Sequence, residues 1–123
     1  MSDAKQQWAD QIENRLIDFG ADIIGFTESL PKSFAGIHIG KQLLRAGTSP
    51  APNFAEARGA ESRQDFVHKL KIVIKELNET QVWLKMLSRR NIGNTSATSS
   101  LLSEVGELSR IINASIKTAK SNR

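Results

Sequence analysis

The chain contains no cysteine, which excludes disulfide frameworks, thiolate metal sites and cysteine nucleophiles together. Histidine is nearly as scarce. His38 and His68 fall in separate segments, and neither has a second histidine four residues away. Di-metal centres in helical bundles need Glu-x-x-His pairs, because carboxylates and imidazoles must jointly satisfy two cations. Glu76 and Glu79 have the first spacing without the imidazole, so neither a metal nor a cofactor is expected. No apolar run approaches the ~18 residues of a membrane span. The N-terminal stretch Met1 to Gln7 is polar, and a cytoplasmic protein without membrane association is expected. Gly36, Gly40 and Gly47 lack the lysine and hydroxyl context of a phosphate-cradling loop. The serines gather in linkers, where no serine, histidine and acid grouping can be argued. The expectation is a protein without catalytic activity, working by self-assembly and binding.

What the sequence does contain is helical periodicity and an uneven distribution of charge. Its 123 residues suffice for one domain spanning 1–123, with one core. The net charge is +4, yet residues 1–30 carry two Lys/Arg against six Asp/Glu, and every later part of the chain has a basic excess. Two readings stand: a solvated surface with internal charge pairing, or a face that binds polyanions.

Ile12, Leu16, Phe19, Ile23, Phe26 and Leu30 alternate at spacings of four and three, which places them on one helical stripe. Pro31 closes that segment. The next, Ser33 to Ala57, is irregular. Phe34, Ile37, Leu44 and Phe54 are large and apolar, whereas Gly36, Gly40, Ala46 and Gly47 are small enough for tight packing against a neighbour. Pro50 and Pro52 cannot donate backbone hydrogen bonds, so a kink or break is expected between Gly47 and Asn53, and Gly59 is a helix stop. Ser62 and Asp65 form a capping pair ahead of a seam of Phe66, Leu70, Val73, Leu77, Thr80, Leu84 and Leu87, which Asn91-Ile92-Gly93 ends. Residues 94–100 read as a polar linker. Leu101, Val105, Leu108, Ile112, Ile116 and Ala119 then define the last helix. Four amphipathic helices with short connections predict an all-α antiparallel up-down four-helix bundle, its second helix kinked or broken near Pro50 and Pro52.

The third helical segment has more than one face. At ~100° per residue, Lys71, Lys75, Asn78, Val82, Lys85 and Arg89 fall within about 80° of each other, nearly opposite the seam. No acidic residue interrupts this stripe, so Lys71, Lys75, Lys85 and Arg89 are the nucleic-acid-binding candidates. Without aromatics among them, binding is expected to be weakly sequence-selective. Ile72, Trp83 and Met86 share a sector between stripe and seam. They are candidates for an oligomer interface, or else the broad edge of one core. Arg45 is expected to pair with Glu76 or Glu79 across the second and third segments, a structural role.

The run Gln42 to Ser49 (QLLRAGTS), followed by Asn53 to Ala57 (NFAEA), Ser62 to Phe66 (SRQDF), Lys69-Leu70 and Lys75 to Leu84 (KELNETQVWL), resembles the four-helix-bundle family of the 23S rRNA intervening-sequence protein. These residues cover about half the chain, in order and at family-like spacing. The resemblance implies a bacterial origin and assembly into a homopentamer. It extends to the accessory variability determinant of diversity-generating retroelements, which implies RNA or DNA and a reverse transcriptase as partners. Pro50 and Pro52 depart from a family pattern of continuous helix. Two functions follow: an oligomeric module that presents its basic stripes to nucleic acid, or a protein-interaction scaffold that does not touch nucleic acid.

Overall fold

The computed structural model describes residues 3–121 as five helical elements: α1 (Ala4–Glu28), α2 (Phe34–Thr48), α3 (Pro50–Arg58), α4 (Arg63–Arg89) and α5 (Thr95–Ser121). Among these residues there is no strand. α2 and α3 are joined with a bend of 17° near Pro50 and act as one leg, so the legs number four. Each leg packs on its sequence neighbour and α5 returns to α1, while α1 and α4 face each other only across the diagonal. This is the up-down four-helix bundle.

The bend has a local cause. Pro50 occupies the first position of α3, where its missing N–H and fixed φ cost little. Just before it, the hydroxyls of Thr48 and Ser49 donate back to the carbonyls of Leu44 (2.6 Å) and Arg45 (2.7 Å), a pattern that bends helices. The Asn53 side chain donates to the Ser49 carbonyl at 2.9 Å and holds the joint.

All six residues of the first stripe are buried, from Ile12 to Leu30, and they meet Leu43, Phe54, Leu70, Val73, Leu77, Leu84, Leu87, Leu101, Val105, Leu108 and Ile112 in a single core. Phe66 and Ile116 are only half-buried at its ends. The small residues of α2 do bring backbones together: a β-carbon at Gly47 would stand 2.9 Å from two side-chain carbons of Ile23. Of the large apolar residues in the second segment, Leu43 and Phe54 are buried, whereas Phe34, Ile37 and Leu44 are exposed.

Two boundaries follow the capping chemistry. Ser62 Oγ accepts the N–H of Asp65 at 3.0 Å and starts α4. The stretch 94–100, read from sequence as a linker, is instead the beginning of α5. The Asn94 side chain accepts the Ala97 N–H at 2.8 Å, and the Thr98 hydroxyl donates to the Asn94 carbonyl at 2.9 Å. Serine and threonine are poor helix formers, but a good cap with Thr98 and Leu101 buried beneath it outweighs that preference.

Candidate functional site

The α4 seam, Leu70, Val73, Leu77 and Leu84, is wholly buried, and this sets which side of the helix faces water. Lys71, Lys75, Lys85 and Arg89 are all exposed, and none joins an ion pair among the described residues. The cations at the helix seams behave differently. Arg15 of α1 forks onto Glu104 (2.7 and 3.2 Å) and reaches Glu107 at 3.2 Å. Arg58 holds Asp10 (2.8 Å) and Glu13 (3.1 Å), and Lys69 holds Glu56 at 2.8 Å. Asp10, Glu13, Glu56, Glu104 and Glu107 are thereby engaged within the bundle, and the outward face of α4 is left positive.

The positive face is wider than the sequence stripe. A groove of about 460 Å³ between the start of α4 and the end of α5 is lined by Arg63, His68, Lys71 and Lys120, and among the described residues by no carboxylate. Arg110 and Lys117, seven residues apart on α5, are exposed as well. Sequence reasoning missed the groove because it projected one helix at a time; the packing of α4 on α5 brings Arg63, His68 and Lys71 beside Lys120.

On the α2 side of α4 the chemistry is structural. Arg45 Nη1 donates to Glu76 Oε2 at 3.0 Å, and Nη2 donates to Glu79. Glu76 is only 8 % exposed. The Trp83 Nε1–H donates to Glu79 Oε2 at 3.1 Å, and His38 of α2 meets the Trp83 ring edge-on, with centroids 6.1 Å apart. The Trp83 hydrogen bond, followed by Arg45, holds the Glu79 carboxyl below its ordinary range.

That cluster divides the proposed interface trio. Trp83 is half-buried, packs on the core and finds partners within its own chain. It therefore belongs to the broad edge of the core. Ile72 is half-buried, and only Met86, beside Val82, is substantially open. The larger exposed apolar surface lies elsewhere, on Ile17 and Ile24 of α1 and on Phe34, Ile37 and Leu44 of α2. Ile37 and Leu44 line a shallow groove between these helices. The seven-residue spacing of Ile17 and Ile24 was the available sequence signal. Among the described residues no group of three or more His, Cys, Asp or Glu could hold a metal, and no helix is long and apolar enough to cross a membrane.

No curated protein matches the chain significantly. Among solved structures, one similar to it is a protein of unknown function from the S23 ribosomal protein family of Bacteroides thetaiotaomicron VPI-5482. It is 33% identical with a TM-score of 0.80, over 86% of this chain and 98% of that one. The family model of the 23S rRNA-intervening sequence protein matches residues 10–114. With all four legs of the bundle represented in that match, the chain belongs to the 23S rRNA-intervening sequence protein family.

Proposed function

We propose that this protein is a non-enzymatic, self-assembling helical module that presents its α4/α5 face to nucleic acid. One observation carries the reading: arginines and lysines on the inner seams are neutralised by carboxylates, whereas Lys71, Lys75, Lys85 and Arg89 share one exposed face and join no ion pair among the described residues. Like charges held together without counter-charge repel each other, and a polyphosphate relieves that repulsion by displacing condensed counterions. Glu76 and Glu79 pair with Arg45 of α2, and Glu104 and Glu107 with Arg15 of α1, so these acids are engaged elsewhere in the bundle. The family name, which refers to an intervening sequence of 23S rRNA, agrees with an RNA partner.

Filter binding at two salt concentrations tests this. The wild type binds RNA or DNA at low salt. Replacing Lys71, Lys75, Lys85 and Arg89 together by glutamine lowers affinity about 100-fold or more and flattens the log–log salt slope by about three units. Absence of binding at low salt, or an unchanged slope in the variant, overturns the reading.

A second copy of the chain is the proposed occupant of the α1/α2 side. Phe34 is 98% exposed, and exposed apolar clusters on small proteins mark interaction surfaces. Repetition of the cationic face in such an assembly multiplies weak phosphate contacts. In sedimentation, Phe34→Asp combined with Leu44→Glu reduces an oligomer to monomer. A wild type that is already monomeric, or an oligomer that survives both changes, would sink the assignment.

A further inference from the structure

Where α1 begins and α5 ends, the legs of the bundle leave a cleft of about 700 Å³. Small side chains create the space: Ala57 at the end of α3, and Ala114 and Ala119 on α5. Two aromatic residues line it, Trp8 of α1 and Phe66 of α4. Trp8 packs edge-on against buried Phe54, with centroids 6.4 Å apart, yet remains 38% exposed. Among the described residues no carboxylate lines the cleft, while Lys5 and Arg63 do. Arg58 is there too, but its guanidinium is committed to Asp10 and Glu13.

Arg63 lines both this cleft and the cationic groove that contains Lys71. The aromatic cleft is thus a continuation of the proposed phosphate-binding face, with no acidic residue at the junction. A base within a duplex has both faces stacked and offers only its edges, whereas an unpaired base offers its faces to an aromatic platform, and such stacking tolerates any sequence. The geometry points to a cleft that receives an unpaired nucleobase from a strand whose phosphates lie along the α4/α5 face, so that the protein selects nucleic acids with single-stranded extensions over blunt duplexes. The inference rests on the nucleic-acid reading of that face, and it supplies the stacking residue that α4 itself lacks.

A short RNA duplex, blunt or extended at either end by unpaired adenosines, distinguishes the two ideas. The extended duplex binds about tenfold more tightly than the blunt one and quenches tryptophan emission. Trp8→Leu removes both the quenching and the preference. Ala114→Leu, at an exposed helical position that fills the cleft from α5 without touching the core, removes the preference by a separate route. In both variants blunt-duplex affinity and its salt slope stay as in the wild type. Equal binding of the two duplexes with unchanged emission, or a preference that persists in Ala114→Leu, overturns the inference and leaves the cationic face standing. Binding of neither duplex overturns the cationic face and this inference with it.

Discussion

Gly36→Ala lowers the melting temperature by about 10 °C or more, equivalent to about 3 kcal/mol of overpacking in a domain of this size. The cause is the corner between α1 and α2. Ser33 caps α2 by accepting the Gly36 N–H at 3.1 Å, and the chain doubles back so closely that a β-carbon on residue 36 would overlap the Pro31 carbonyl oxygen and press on Ser33 Oγ. Both neighbours are fixed, one as backbone and the other as the cap. Relief therefore requires opening the corner and losing the cap. Gly25→Ala is the matched control: nothing lies within 4 Å of its added carbon, so the helix-propensity gain of about 1 kcal/mol is realised and the protein becomes more stable. Thermal melts of the two variants beside the wild type check both signs. A Gly36→Ala protein as stable as the wild type would show that the corner is not under this constraint.

Arg45→Met has the next largest effect. Glu76 stays buried and loses its cation, and since the Arg45 side chain is itself half exposed, the cost falls toward the low end for broken buried pairs, about 2 kcal/mol. Arg45→Lys does not restore it, because one ammonium cannot serve Glu76 and Glu79 with the planar fork that the guanidinium uses. Adding Glu76→Leu to Arg45→Met recovers most of the loss, since the stranded charge is removed along with its partner. The effect depends on pH with a definite sign. The Glu79 carboxyl is held below its ordinary value near 4.5 in the folded protein, so its contribution is complete above that value and disappears as pH falls through the lower, folded one. The stability difference between wild type and Arg45→Met therefore narrows in acid. Urea titrations at neutral and acidic pH measure it, and a difference that is constant with pH would contradict the assignment.

The bundle was legible from sequence because its cores are periodic. Every residue of the Ile12 to Leu30 stripe is buried, and four-three spacing on a helix leaves no alternative face. The Arg45 tie to Glu76 and Glu79 was legible for a similar reason, since charges flanking apolar seams need partners. The beginning of α5 was misread because Thr and Ser report local preference, whereas the cap of Asn94 and the burial of Leu101 are decided by tertiary context. The surfaces were the least legible. A helical projection finds the Lys71 to Arg89 stripe, but it cannot show that Arg63 and Lys71 share a groove with Lys120, or that Trp8 opens toward Arg63. It also left Trp83 open to assignment as an interface, since the Glu79 and His38 contacts that occupy it come from folding.

The order of the legs has a consequence for how the molecule assembles and opens. Each leg packs chiefly on its neighbour in sequence, so most contacts are local. Chains of that kind close short loops first and fold rapidly. The α1/α5 seam alone joins the two ends of the chain, and it is the slenderest of the four, bridged by the Arg15 fork to Glu104 and Glu107. It is the last to be zipped during folding and the first to breathe in the native state. The Trp8 cleft lies at one end of that seam, so its width is governed by the same motion.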